Sequence, residues 1–513
     1  MTAGAFPIRM TTTEHSRLRG WRPRLVVALL LVLCGGWAYG PALNRMFAAD
    51  QLMYFLHLDG ETSLSSGLRL LDYTAVREYE KGDEALHRPL LMAGLAAENA
   101  AFKRDFRRWN WANLAVHLGI AYLLFELLWR LRPTILAGAA AVWFVLLASN
   151  FEQVSWNHLG GYMLGFGGVL VALWAAREAA TSGDRPFRWL WLGGFALAGA
   201  MLVHEIAVVA AFGIGAYVFW MRRRQPGGPW LRPLLAWALP LLIYAVLYGF
   251  HVARCERWFW ADDHGSAGGA WLAALAVPPR LVGDWVLRIL LPGNADLAVL
   301  LGDRSHWLVS ARFWPLGAVW AYVGWTGLLV CAWPGLSRER LKAEAPFAAL
   351  LLFVLGAYAA MNSLGRPNPG DIPYYAYFPA LIGAVLFWLP FDPTRIDRRR
   401  RTWATVFLLL LALLNGWKTR QTSLQVQTDN AGVAQHYAWL ERQVRPGLAR
   451  PDYTFSVTGV TPCLNPSDPV WVGYPDQRKL ESVSIYRFLY GKRFDPAAPA
   501  ETFAWPGTPA ARP

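Results

Sequence analysis

The sequence predicts an all-α polytopic membrane protein of about 11 transmembrane helices, with long outer loops and a small C-terminal extracytoplasmic α/β domain. Three observations predict it. The 513 residues are 55% hydrophobic and only 16% charged, where a soluble protein carries about 25% charge. Apolar windows approaching the ~20 residues needed to cross hydrocarbon recur along the chain. Lys and Arg gather in alternate loops, the asymmetry that orients membrane proteins.

The windows fall at roughly 25–41, 110–129, 134–149, 159–176, 189–203, 206–221, 233–250, 313–333, 345–361, 374–391 and 403–417. Arg9, Arg17, Arg19, Arg22 and Arg24 precede the first. The pattern continues with Arg130 and Arg132, then Arg177, Arg185 and Arg188, then Arg222 to Arg224, then Arg338, Arg340 and Lys342, and finally Arg395 with Arg398 to Arg401. The short loops between these hold only Arg366. The expectation is a bacterial-type inner (plasma) membrane protein with a cytoplasmic N-terminus and an extracytoplasmic C-terminus. Lys103, Arg104, Arg107 and Arg108 break the pattern on the outer face, at the end of a loop near the length where the bias fades. Residues 1–24 hold no A-x-A-type cleavage site, so the first window reads as a retained anchor.

Within the membrane domain at 25–417, two outer segments are too long to be connectors, 42–109 and 251–312. The first contains HRPLLMAGLAAENAAF, with the apolar spacing of an interfacial helix. The second contains AWLAALAVPPRLVGDWVLRILLPG, broken by Pro278, Pro279, Arg280 and Asp284, and reads as lying along or dipping into the membrane. In 418–513, TDNAGVAQHYAWLERQV reads as helix and DYTFSVTGV as strand, making a small outer α/β domain. Its end, from about Pro496, is Pro/Ala-rich and expected to be disordered.

The net charge of +14 is largely the inner-face bias, and no basic stripe with interleaved aromatics argues for nucleic acid as a partner. Cys34 and Cys331 fall in spans, while Cys255 and Cys463 map outside, where a disulfide could persist. No C-x-x-C or H-E-x-x-H motif is present, so a structural metal centre is not expected. Asp262 and Asp263 with His264 leave a divalent cation open, against the blander reading of a solvent loop.

Acids carry the functional signal. Asp50, Glu152 and Glu205 each stand where an apolar window gives out, and charge counting puts all three on the outer face. A carboxylate near the bilayer core costs roughly 2.5–3.5 kcal/mol on insertion scales, so it is rarely kept without a use. Three gathered on one face read as the rim of an active site. Arg88, Arg366, His158 and His204 are the nearby groups able to supply positive charge or hydrogen-bond donors. Glu205 reads as orienting His204 or an Arg.

The layout and several short patterns resemble the GT-C superfamily of integral-membrane glycosyltransferases. The protein O-mannosyltransferase and aminoarabinose-transferase branch and the TPR-containing mannosyltransferases are the closer likeness. Asp50 holds the place of the family's acid in the first outer loop. HRPLLMAG looks like its R-P-L step, and NWANLAVHL its H-x-x-N-x-x-x-H entry to the second span, with Asn113 and His117 matching and Asn110 in place of the first His. FEQVSW is similar to E-x-V-x-W at Glu152, Val154 and Trp156, followed by His158 where the family often has Arg. VHEIAVV is similar to S-K-E-x-A-V-V, with His204 in the Lys place beside Glu205. RPNPGDIPYYAYFPA is similar to an Arg-Tyr-x-x-x-P step, with an insertion between Arg366 and Tyr377. The resemblance spans roughly residues 25–420.

It implies transfer of a sugar from a polyprenyl-phosphate donor to an acceptor hydroxyl of a glycan, lipid or protein on the outer face, with membrane lipids as further partners. On that implication Asp50 is the first candidate base and Glu152 the second, and Arg88, Arg366, His158 and His204 are the groups to hold the phosphate, Arg through its planar fork. No organic cofactor is implied. Besides a non-catalytic membrane scaffold, two alternatives stay open. One is an O-antigen ligase or polymerase using a polyprenyl diphosphate-linked glycan, for which Arg254, Arg257, Arg280 and Arg288 in the 251–312 loop would serve. The other is a non-enzymatic transporter or flippase, which would place charges at mid-span in paired halves.

Overall fold

The computed structural model describes residues 21–45, 88–103, 105–157, 159–181, 186–204, 206–223, 231–254, 281–292, 315–364, 373–458, 486, 490, 493–495, 497 and 499–504. Helices dominate: α1 (Trp21–Tyr39), α2 (Pro89–Phe102), α3 (Phe106–Leu131), α4 (Ile135–Leu146), α5 (Phe151–Ser155), α6 (Leu159–Thr181) and α7 (Pro186–Met201). They continue with α8 (Ile206–Arg223), α9 (Leu231–Arg254), α10 (281–290), α11 (Pro315–Ala332), α12 (Arg338–Leu364), α13 (Tyr377–Trp388) and α14 (Arg398–Val444).

Each expected window lies on one of these helices, but six of them are long and apolar enough to cross a membrane. A seventh follows if α4 and α5, bent by 49° at their junction, count as one span. A 12-residue helix such as α4 or α13 extends about 18 Å, well under a hydrocarbon core of about 30 Å. The stretch read as an interfacial helix forms α2, which starts at Pro89, a residue whose fixed φ and missing N–H suit a first turn.

Small residues let the helices approach. Gly168 of α6 faces the backbone of Ala196 in α7, and Gly324 of α11 faces Leu411 of α14. The bundle core is built from Leu, Ala and aromatic side chains of α3, α4, α6, α8 and α13, while one flank of α1, α9 and α11 stays apolar and exposed, as a lipid-facing surface must.

Ion pairs lace the basic end of the bundle. Arg24 of α1 pairs with Glu126 of α3 at 2.6 Å, Arg177 of α6 with Glu344 of α12 at 2.5 Å, and Arg340 with Asp392 at 2.7 Å. Past the last window the chain does not leave the helix. Residues read as a separate outer helix continue α14 to Val444, and a two-stranded parallel sheet follows, β1 (Phe455–Thr458) beside β2 (Glu501–Ala504).

Candidate active site

The opposite end of the bundle gathers the candidate residues around the first half of α3. Asn110, Asn113 and His117 follow one another at i, i+3 and i+7, so they line one side of that helix, and all three are buried. Buried amides need partners. Each residue finds them on a different segment.

Asn110 Nδ2 donates to the carbonyls of Leu43 (3.0 Å) and Arg45 (2.8 Å), fixing the chain where it leaves α1 toward Asp50. Asn113 Nδ2 shares its protons among the carbonyls of Val154, Gln153 (3.5 Å) and Trp156 (3.2 Å), the backbone of the Glu152 turn. His117 Nε2 lies 3.2 Å from the Val145 carbonyl and Nδ1 lies 3.0 Å from the Tyr377 hydroxyl. A carbonyl pairs only with an N–H, so Nε2 carries the proton and Nδ1 accepts from Tyr377.

The Glu152 turn is a break in helical backbone, and a break inside a bundle survives only where protein groups satisfy it. Here they do. Ala148 N–H donates to Asn415 Oδ1 of α14 (3.2 Å), Asn150 Nδ2 to the Phe144 carbonyl (2.9 Å), and Gln153 Nε2 to the Leu159 carbonyl (3.0 Å). Thr419 and Ser423 of α14 cap the ends of α4 and α1 by donating to Leu146 (3.0 Å) and Ala38 (2.7 Å). Glu152 itself is half-buried at the start of α5.

A second cluster forms where α2 meets α6. Arg88, the N-cap of α2, donates through Nη1 to the Tyr162 hydroxyl, and its Cζ lies 4.8 Å from the centre of the Tyr162 ring. The same ring meets His204 edge-on at 4.8 Å. Leu90 N–H donates to the Leu202 carbonyl at 3.0 Å, which ties the first turn of α2 to the turn holding His204. His204 is buried, and its Nδ1 accepts from the Ile206 N–H at 3.2 Å, leaving Nε2 as the ring's donor.

Two glycines make the convergence possible. A Cβ at Gly160 would overlap the Asn113 amide, and one at Gly161 would overlap Leu91 of α2. Successive residues of α6 therefore touch the clamp on the Glu152 turn, then α2, and then, at Tyr162, the Arg88 guanidinium.

Of the seven residues singled out from sequence, the structure describes three. Arg88 and His204 are brought together by Tyr162, and Glu152 stands on the turn held by Asn113. Asp50, His158, Glu205 and Arg366 lie outside the described residues, as do Cys255, Cys463 and Asp262 to His264. Tyr162 is a candidate site residue that sequence reasoning missed, whereas Tyr377, read as the Tyr of the Arg-Tyr step, meets His117. Tyr162 follows the glycine pair in the first turn of α6, a signal that was present but unread. From the 251–312 segment, Trp285 stacks near Tyr358 (5.2 Å), and Tyr358 meets Phe166 (5.9 Å), which lies against His204 (5.3 Å). Asp284 and Arg288 of α10 are buried beside this aromatic run rather than exposed on a loop. Among the described residues no three His, Cys, Asp or Glu side chains group as a metal site.

No family model matches the chain, and no curated protein sequence matches it. Among solved structures it is similar to ArnT from Cupriavidus metallidurans in the apo state, with a TM-score of 0.48, 12% identity, and coverage of 86% of this chain and 84% of ArnT. The same enzyme bound to undecaprenyl phosphate gives 0.48, 13%, 91% and 89%. The archaeal oligosaccharyltransferase AglB from Archaeoglobus fulgidus, in complex with an inhibitory peptide and a dolichol-phosphate, gives 0.43, 12%, 86% and 63%.

Proposed function

We propose that this protein is a membrane glycosyltransferase that moves a sugar from a polyprenyl-phosphate donor to an acceptor hydroxyl. The observation that carries the reading is the cluster of Arg88, Tyr162 and His204, packed on the same turn of α6 that abuts the Asn113 clamp of the Glu152 turn. A cation and two hydrogen-bond donors at one bundle end suit a lipid phosphate, whose negative charge grows as the bond to the sugar breaks. Arg88 supplies charge, with Tyr162 holding its guanidinium in place. His204, with Nδ1 taken by the Ile206 N–H, can donate only through Nε2, a weaker hold than the Lys that the family pattern has there.

In the transfer, the acceptor oxygen bonds to the anomeric carbon, the bond from that carbon to the phosphate oxygen breaks, and the phosphate departs as an anion. The acceptor proton passes to a carboxylate. Asp50 is the proposed base, on a segment whose entry Asn110 pins at Arg45, and Glu152 is the second candidate. A departing phosphate is stable enough to need no general acid, and His158, Glu205 and Arg366 complete the proposed binding set.

Asp50→Asn keeps the shape of the side chain and removes its basicity. In membranes supplied with a labelled polyprenyl-phosphate sugar, this variant is expected to express like the parent and to lose transfer. Transfer at the parent rate would overturn the assignment.

A further inference from the structure

Away from the candidate active site, α8 and α12 run antiparallel and enclose an open groove of ≈ 830 Å³. Its walls are Phe212, Ala216 and Trp220 on α8, with Ala349 and Phe353 on α12, and Lys342 stands at its basic end. From Lys342 to Phe353 the groove extends about 16 Å at 1.5 Å per residue, close to half of a hydrocarbon core of about 30 Å. That is the depth of a single leaflet.

Helical spacing places further cations at the same mouth. Arg338 lies one turn before Lys342 on the stripe that continues to Ala345, Ala349 and Phe353, and Arg223 lies one turn beyond Trp220 on the stripe of Ala216. All three cationic side chains are exposed, and none pairs with a described carboxylate. The acids near them are engaged elsewhere, Glu339 with Arg395 (3.0 Å) and Glu344 with Arg177 (2.5 Å). Trp220, 40% exposed at the rim, sits at the level where an indole prefers an interface.

We infer that this groove is a binding site for one anionic glycerophospholipid, its acyl chain along Phe212, Ala216, Ala349 and Phe353 and its phosphate at Lys342, Arg338 and Arg223. An apolar slot one leaflet deep, closed by cations rather than by mixed charge, matches an amphiphile of that length with an anionic head. Loss of the site leaves the donor-phosphate cluster of Arg88, Tyr162 and His204 untouched, because that cluster lies at the far end of α8.

The test is native mass spectrometry of the full chain in a neutral detergent with equal amounts of phosphatidylglycerol and phosphatidylcholine of the same chains. The parent is expected to retain phosphatidylglycerol over phosphatidylcholine by about tenfold, and Lys342→Glu to lose most of that preference. Lys342→Arg should keep it, and Ala216→Trp, which fills the slot from a lipid-exposed position, should lower retention of both lipids. Arg395→Glu, a charge reversal at the basic end outside the groove, should change nothing. Equal loss in Lys342→Glu and Arg395→Glu, or no preference in the parent, would overturn the site.

Discussion

Arg88 is placed by chemistry that begins with its neighbour. Pro89 starts α2 and restrains the residue before it, so Arg88 leaves the helix axis at the N-cap and its guanidinium reaches Tyr162. A planar guanidinium stacked on a ring presents its donors as a fixed fork, which a lysine ammonium in that place would not reproduce. Further along α2, Glu98 shares the face of Leu91 and Leu95. Burial raises its carboxyl to about 8. The folded protein therefore holds a proton that the unfolded chain has released, and stability falls as pH rises from the ordinary carboxylate range to about 8. Thermal unfolding in detergent at about pH 5 and about pH 8.5 should show that fall in the parent, and Glu98→Gln should flatten it. An equal fall in both would assign it to other groups.

At the scale of the element, α3 is the scaffold of the site, and what it does was only half legible. Asn113 and His117 stand out in the sequence as a pattern, yet nothing there says which backbone they hold, because their partners lie 40 and 260 residues away. Helical windows were legible from apolar periodicity, whereas helix ends were not: the break between α4 and α5 depends on amides contributed by α3 and α14. Asn113→Ala removes a donor from carbonyls buried in that break and should cost about 1–3 kcal/mol of stability. Asn113→Asp is expected to cost more, since it turns acceptors toward acceptors in a buried place. Unfolding midpoints of the two variants check the order, and an aspartate as stable as the parent would show that the clamp is dispensable.

Across the whole molecule, the candidate site and the ion pairs occupy opposite ends. The site end is joined by neutral amides and hydroxyls, and the basic end by carboxylate–guanidinium pairs. The charge alternation of the loops made this division readable in the sequence, but not which charges pair. Arg177 and Glu344 meet through two hydrogen bonds with side chains only 14% and 15% exposed. The Arg395–Glu339 pair is 46% and 86% exposed, a class of surface pair worth about 0–1 kcal/mol. Glu344→Gln should therefore lower the unfolding midpoint clearly more than Glu339→Gln does. Equal effects would mean that the inner pair is no better shielded than the outer one.

The most direct measurement of the central claim is binding of a polyprenyl phosphate to the purified protein, compared with the uncharged polyprenol of the same chain length. The parent is expected to prefer the phosphate, and Arg88→Ala to weaken its binding at least about tenfold while leaving polyprenol unchanged, in line with a charge-assisted contact of about 1.5–3 kcal/mol. Binding of phosphate and polyprenol with equal strength, or an Arg88→Ala variant that holds the phosphate as tightly as the parent, would contradict a donor site at Arg88, Tyr162 and His204.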